Sequence, residues 1–196
     1  MSVSAGTAAG KDRSVNGWRR AAWFVALALA LTACRLPYYP GFTKPPPAAT
    51  ARLADASGRP VGRAVLLQEG GSVRILIDLT GVAPGTKAIH IHEVGRCDPP
   101  SFESAGAHFN PTKAQHGTAN PRGPHAGDLP NITVDATGRG HLELSATRVT
   151  LEKGSTSVFD ADGSALILHE GADDLRTDPA GNSGARIACG VILRAE

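Results

Sequence analysis

Hydrophobic and polar residues alternate along several short stretches of the chain after residue 50. The clearest stretch contains Val73, Ile75, Ile77 and Leu79, whose side chains would all lie on one face of an extended strand. Turn-forming Gly, Pro and Asp residues separate it from similar stretches at 51–56, 61–68, 87–94, 131–135, 141–148, 164–168 and 185–194. About eight short strands without a helical period predict one all-β domain, an antiparallel sandwich or barrel.

Two long segments, 95–130 and 170–184, lack the strand pattern. Loops of that length in a compact domain are usually functional, or they need an external constraint that holds them in place. The first segment contains three histidines together with Asp128 and Cys97. We therefore predict that both segments are functional loops, and that a metal and a disulfide hold the first one.

The N-terminal segment, residues 1–33, has the composition of a signal peptide. Basic residues up to Arg20 precede an apolar run at 21–31, which is too short for an ordinary transmembrane helix. The run leads into Thr32, Ala33 and Cys34, which resemble the lipobox of bacterial lipoproteins, where the cysteine is acylated. The alternative is an ordinary signal peptide followed by an incidental cysteine. The lipobox favours export and attachment through Cys34 to a membrane of the bacterial cell envelope, facing the periplasm or the outer surface.

Residues 34–49 contain this cysteine and a proline-rich linker, and the folded domain is predicted at 50–196. Proline-rich segments are extended and semi-rigid, which suits a spacer between a membrane and a domain. The signal peptide contains four bases and one acid, so its removal lowers the formal net charge from +2 to about −1. No basic stripe remains, and no nucleic-acid partner is expected.

Cys97 and Cys189 are the two cysteines that remain if Cys34 carries the lipid. Disulfides persist in exported proteins. A disulfide between these residues would close a loop of about ninety residues and contribute roughly 4 kcal/mol in the chain-entropy model. The alternative is a pair of buried free thiols, which is unusual outside the cytosol, so we predict the disulfide.

Six of the seven histidines stand in a pattern typical of metal ligands, and His141 alone lies outside it. Histidine is the commonest protein metal ligand, so such a cluster needs a cause. The side chains of His90 and His92 would face the same side of a strand, and His169 ends another strand of similar character. A site made mostly of imidazoles suits copper(II).

The first long segment offers a different donor set, three imidazoles and one carboxylate within 21 residues: His108, His116, His125 and Asp128. Four protein ligands of this kind close a tetrahedral zinc site and leave no position for water. We therefore expect a structural zinc ion. A zinc hydrolase is excluded on the same ground, because it needs an open position on the metal and a general base beside it.

The order of these residues resembles the copper/zinc superoxide dismutase family. The resemblance extends over nearly all of residues 50–196 and rests on these motifs: His90-Ile91-His92-Glu93, Cys97, Gly106-Ala107-His108-Phe109-Asn110-Pro111, His116-Gly117, His125-Ala126-Gly127-Asp128, His169-Glu170-Gly171-Ala172-Asp173 and Gly184-Ala185-Arg186-Ile187-Ala188-Cys189. It implies a Greek-key β-sandwich or flattened barrel. It also implies superoxide as the substrate and one copper and one zinc per subunit.

The resemblance further implies a role for each residue of the cluster. The copper ligands would be His90, His92, His108 and His169. The zinc ligands would be His108, His116, His125 and Asp128, so that His108 bridges the two metals. Asp173 would hydrogen-bond the copper ligand His90 and the zinc ligand His116. Arg186, which would guide the substrate anion, and His108, which would release and regain a proton, are the implied catalytic residues.

The implied function is dismutation of superoxide to dioxygen and hydrogen peroxide outside the cytoplasm. Members of the family dimerise through different faces, so a homodimer is one candidate assembly. The alternative is a copper-binding or copper-storage scaffold of the same fold without turnover. Loss of a copper histidine or of Arg186 would favour the scaffold, and the sequence keeps all of them.

One departure from the animal members of the family concerns the attraction of the substrate. The segment between Asp173 and Arg186 is short and carries Arg176 as its one cation. We therefore expect long-range attraction of superoxide to be weaker than in members with a longer, lysine-bearing loop.

Replacement of Cys34 by serine tests the predicted lipid anchor. The variant should appear in the soluble fraction or stay unprocessed, because the acylated thiol is gone, while any folded product keeps its activity. Incorporation of a radiolabelled fatty acid into the wild type is the direct measurement. A wild type that takes up no label would refute the lipoprotein prediction.

Overall fold

The computed structural model describes residues 48–195, so the predicted signal peptide, Cys34 and nearly all of the predicted linker lie outside the described residues. The described part forms nine strands: β1 (Ala48–Asp55), β2 (Pro60–Glu69), β3 (Ser72–Leu79), β4 (Gly85–Lys87), β5 (Ile89–His92), β6 (Ile132–Val134), β7 (Gly140–Ala146), β8 (Ala165–His169) and β9 (Arg186–Arg194). One turn of 3₁₀ helix spans Glu103–Ala105. Within 48–195, no helix has the length and apolarity needed to cross a membrane.

All nine strands belong to one antiparallel sheet with the order β4-β6-β7-β3-β2-β1-β9-β8-β5. The two end strands, β4 and β5, are separated in the chain by Ala88 alone. Their proximity in sequence brings the two ends of the sheet together into a nearly closed barrel. The predicted all-β antiparallel fold is confirmed.

The strand order contains a Greek key. Strands β4, β6 and β7 follow one another across the sheet, and β7 then pairs with β3, which precedes all of them in the chain. A connection of this kind places the first strand beside the last, which is the definition of the motif. The chain between β5 and β6 and the chain between β8 and β9 form the two long loops that the sequence predicted.

The segment predicted as one strand, 87–94, is divided at Ala88. The strand before it pairs with β6 and the strand after it pairs with β8. The Ala88 N–H donates to the carbonyl oxygen of Gly171 at 2.7 Å, and the Ala88 carbonyl accepts from the N–H of His169 at 2.9 Å. The chain therefore changes its pairing partner here, which explains nine strands where about eight were predicted.

Aliphatic side chains from alternate strand positions fill the barrel. On β3, Val73, Ile75, Ile77 and Leu79 are all buried, as the alternation predicted. They belong to one core that includes residues from every strand of the sheet except β4. The barrel is therefore a packed scaffold, and the predicted metal ligands are not part of this core.

A third long loop, 147–164, connects β7 to β8, and the sequence analysis did not single it out. Its side chains Leu151 and Val158 are buried in the core. The buried Gln68 of β2 accepts a hydrogen bond from the Leu151 N–H at 2.8 Å through its side-chain oxygen. A buried amide thus anchors this loop to the barrel.

The predicted disulfide is confirmed. Cys97 and Cys189 are bonded, with their Cα atoms 5.7 Å apart and a sequence separation of 92. The bond joins the first long loop to β9, the strand that begins with Arg186. It therefore holds the first loop next to that arginine.

Candidate metal centre

Strand β5 places two histidines on one face. His90 and His92 are buried, and the intervening Ile91 points into the hydrophobic core. The free edge of β5 pairs with the first long loop, since the Ile91 N–H donates to the Gly127 carbonyl at 2.9 Å and the Phe109 N–H donates to the Ile91 carbonyl at 2.8 Å. A Cβ atom at Gly127 would lie 2.2 Å from the Ile91 oxygen, so only glycine permits this approach.

Four buried histidines from three parts of the fold converge on one point. We call His90, His92, His108 and His169 the four-histidine group; their donor atoms lie within 4.8 Å of one another. Four ring nitrogens of this group are buried and have no hydrogen-bond partner: His90 Nδ1, His92 Nε2, His108 Nε2 and His169 Nε2. Buried nitrogens without partners are costly unless they bind something. The donor set therefore fits a metal ion that prefers imidazole, such as copper.

In the His92 and His169 rings, the hydrogen-bond partner of Nδ1 shows which of the two nitrogens carries the hydrogen. His92 Nδ1 lies 3.0 Å from the carbonyl oxygen of Gly106, which can only accept, so Nδ1 carries the hydrogen. His169 Nδ1 lies 3.1 Å from Ser183 Oγ, whose own hydrogen is donated to Ala180. In both rings Nε2 is left as an unprotonated nitrogen with a free electron pair.

The second group, which we call the three-histidine group, contains His108, His116, His125 and Asp128. One carboxylate oxygen, Asp128 Oδ1, lies 2.9, 3.0 and 3.3 Å from the Nδ1 atoms of His108, His116 and His125. The other oxygen accepts hydrogen bonds from the N–H groups of Gly117 and His125 at 2.8 and 2.9 Å. Three imidazoles and one fixed carboxylate are the donor set of a closed zinc site.

His108 belongs to both groups. Its Nε2 faces the four-histidine group, and its Nδ1 faces Asp128. The His90 and His108 rings have centroids 4.1 Å apart. The structure thus brings all seven predicted ligands into two adjoining groups, and it leaves His141 on the exposed face of the sheet, bonded to Asp78.

Asp173 connects the two groups through a second carboxylate. Its Oδ2 lies 2.9 Å from His90 Nε2, and its Oδ1 lies 2.9 Å from His116 Nε2. Asn131 holds the Asp173 backbone with two hydrogen bonds of 2.9 Å. Gly181 approaches so closely that a Cβ there would lie 1.8 Å from Asp173 Oδ1. The sequence analysis identified Asp173 but missed Asn131 and Gly181, which have no local signal in the sequence.

Burial and the two carboxylates decide the charges of the cluster. Burial lowers the pKa of His92 to about 2, of His169 to about 3 and of His108 to about 4. Burial acts the same way on His116, but its hydrogen bonds to Asp128 and Asp173 outweigh it and raise the pKa to about 9. Burial opposes ionisation of both carboxyl groups, yet hydrogen bonds from the histidines hold their pKa values well below the usual range.

Arg186 lies beside the four-histidine group. In the sheet it pairs with His169, and its guanidinium donates to the carbonyl oxygens of Phe102 and Gly106, both at 2.8 Å. The Gly106 oxygen is also the acceptor for His92 Nδ1, so one carbonyl contacts both the arginine and a histidine of the group. Arg186 and Glu103 are among the residues that line an open cleft of about 500 Å³.

Comparison with known proteins identifies the family of this chain. Residues 61–192 match the family described as copper/zinc superoxide dismutase (SODC). Superoxide dismutase (Cu-Zn) 1 of Aquifex aeolicus is 47% identical over 144 residues, covering 72% of this chain and 85% of the relative. The Cu-Zn superoxide dismutase of Caulobacter vibrioides is 40% identical over 147 residues, covering 74% of this chain and 84% of the relative.

A solved structure shows the same fold. The crystal structure of a SOD-like protein from Bacillus subtilis matches with a TM-score of 0.71 and 43% identity, covering 74% of this chain and 97% of that chain. The chain therefore belongs to the copper/zinc superoxide dismutase family.

The stability of the metal-free protein should fall as the pH decreases from about 6.5 to 4.5. His92, His108 and His169 have folded-state pKa values below the unfolded value of 6.5. The unfolded chain therefore takes up more protons in this range, which costs up to about 1.4 kcal/mol per pH unit for each histidine. His116, whose pKa is raised, stabilises the fold below pH 6.5 and loses this effect only as the pH rises through about 9.

Urea unfolding of the chelator-treated protein at several pH values measures this effect. The variant His141→Gln is the matched control, because it removes an exposed histidine outside both groups, and it should keep the fall in stability. A free energy of unfolding that stays constant between pH 6.5 and 4.5 would contradict the prediction.

Proposed function

We propose that this protein dismutates superoxide at a copper ion bound by the four-histidine group, next to a zinc ion bound by the three-histidine group. Membership of the family supports superoxide dismutase as the enzyme class, and copper and zinc as the cofactors. The assignment of each ligand is our own. It places His90, His92, His108 and His169 on copper and His108, His116, His125 and Asp128 on zinc.

The observation that carries the assignment is the set of buried nitrogens without partners. Four of them lie in the four-histidine group and one, His125 Nδ1, lies in the three-histidine group. Each of these five atoms is a proposed ligand atom. Of the other ring nitrogens in the two groups, all except His125 Nε2 have a hydrogen-bond partner. In the four-histidine group this distribution is expected, because a protein partner fixes each ring and leaves its second nitrogen for a metal.

The proposed zinc has a structural role. All of its ligands lie on the first long loop, and Asp128 is already fixed by two backbone N–H groups. Four protein donors leave no open position for a reacting water. The zinc would therefore hold the loop and the Nδ1 side of His108.

The reaction converts two superoxide anions and two protons into one molecule of dioxygen and one molecule of hydrogen peroxide. Copper, when bound, supplies the one-electron redox couple that this reaction needs. His108 is placed to hold a proton at Nε2, since its Nδ1 faces the three-histidine group. Arg186 presents a positive charge at the cleft, and it is fixed there by two carbonyl oxygens. Asp173 orients His90 and His116 through its two carboxylate oxygens.

A copper-binding or copper-storage scaffold that does not turn over superoxide is the less favoured function. The structure keeps every proposed copper ligand in the four-histidine group and keeps Arg186 beside it. A relative from Bacillus subtilis that is 45% identical over 145 residues is named a superoxide dismutase-like protein, whereas those from Aquifex aeolicus and Caulobacter vibrioides are named dismutases. The intact site therefore supports the enzyme.

The disulfide indicates a location outside the reducing cytoplasm. We further propose that Cys34 attaches the protein to a membrane of the cell envelope and that residues up to 49 act as the spacer. This rests on the lipobox-like sequence alone. The homodimer stays a candidate assembly.

The variant His92→Ala should lose copper and activity while it keeps zinc. His92 belongs to the four-histidine group only, and its Nε2 is one of the four free nitrogens. Metal analysis of the purified protein, together with a superoxide-consumption assay, measures both effects. His141→Ala, which removes a histidine outside both groups, should keep both metals. Loss of zinc with retention of copper would invert our assignment of the two groups.

The variants Arg186→Ala and Arg186→Glu test attraction of the substrate. The second-order rate should fall about tenfold or more in the alanine variant and further in the glutamate variant, with the copper content unchanged. Higher salt should slow the wild type, because the Debye length falls from about 30 Å at 0.01 M to about 8 Å at 0.15 M. Arg139→Glu, a charge reversal on the exposed turn between β6 and β7, is the control for net charge. Equal rates for the two Arg186 variants at low salt would show that Arg186 does not attract superoxide.

A further inference from the structure

Lys87 is a buried lysine that the proposed reaction does not use. It is the last residue of β4, immediately before the strand break at Ala88, and it is 9% exposed. Lysine is rarely this buried, because the ammonium group loses its hydration and needs a partner. Here the Nζ atom donates a hydrogen bond of 2.6 Å to the carbonyl oxygen of Glu170.

That carbonyl lies where β8 ends and the second long loop begins. The pairing of β8 with β9 shifts register between Leu168 and His169, so the regular ladder does not continue past this point. The Glu170 N–H donates to Ala185 at 2.8 Å. Among residues 48–195, the Lys87 ammonium is the donor that we find for the Glu170 oxygen.

The neighbouring backbone adds two more contacts at the same place. The Ala88 carbonyl accepts from the N–H of His169, and the Ala88 N–H donates to the carbonyl of Gly171. Residues 87 and 88 therefore hold three consecutive residues, 169–171. The middle one of the three is held by a side chain rather than by the backbone.

We propose that Lys87 is a positioning residue for the copper site, which fixes the Glu170 peptide and through it the direction of His169 Nε2. This inference rests on the proposed function, because His169 is a proposed copper ligand. The other contacts of the His169 ring, Ser183 Oγ at 3.1 Å and the Gly184 carbonyl at 3.3 Å, come from the far end of the same loop. The ring is therefore held directly at the far end of the loop, while at the near end Lys87 fixes the peptide that follows His169.

The test uses the full chain with Lys87→Met and Lys87→Gln, and with Lys153→Met as the control. Methionine keeps the apolar length of lysine and removes the donor. Glutamine keeps an N–H donor on a side chain one atom shorter, so its amide reaches Glu170 only by drawing the peptide toward β4. Lys153 lies exposed on the third long loop, and its replacement changes the net charge equally.

We expect Lys87→Met to retain zinc, to bind copper about tenfold more weakly or worse in competition with a chelator, and to show an altered copper(II) electron paramagnetic resonance spectrum. The copper affinity of Lys87→Gln should lie between that of Lys87→Met and that of the wild type, and its spectrum should show its own shift. If Lys87→Met does not fold, Lys87→Gln provides the test. Lys153→Met should match the wild type.

Wild-type copper affinity and spectra in both Lys87 variants would overturn the inference. Parallel loss of zinc and copper would overturn it as well, because it would show a general loss of structure. A wild type that binds no copper would instead refute the proposed function, so the two failures are distinguishable.

Discussion

Six imidazole rings and two carboxylates are buried together between the sheet and its two long loops, and each of their polar atoms needs a partner. Asp128 and Asp173 satisfy several nitrogens directly, and backbone carbonyls and Ser183 satisfy others. The nitrogens that remain free all point toward the two ligand groups. The requirement to satisfy buried nitrogens thus accounts for the residues around the two ligand groups, and it supports the proposed place of the copper.

The loops can meet this requirement because an edge strand and a covalent bond hold them. The first loop runs along the free edge of β5, where Gly127 permits a close approach of two backbones. The disulfide joins the same loop to β9. The second loop closes over Asp173, where Gly181 leaves room for the carboxylate. Neither loop needs regular secondary structure, since these contacts replace the hydrogen bonds of a helix or strand.

Backbone carbonyls connect the ligands to the residues around them. The Gly106 oxygen accepts from both His92 and Arg186, so the imidazole and the guanidinium share one anchor beside the cleft. The Glu170 oxygen accepts from Lys87 next to His169. These carbonyls lie where the chain leaves regular structure, and side chains there supply the donors that a sheet would otherwise provide. The geometry of the site therefore depends on residues that bind no metal.

The sequence by itself determined the strands of the barrel, the long loops at 95–130 and 170–184, and the residues of the two ligand groups. An alternating pattern has a period that can be read locally, and His90 and His92 share a face for the same reason. Tertiary structure alone decided the strand break at Ala88 and the attachment of the third loop to Gln68. It also decided the roles of Asn131, Gly181 and Lys87. Each of these depends on a neighbour far away in the chain, and a hydrogen bond or a close approach of that kind leaves no period or motif in the local sequence.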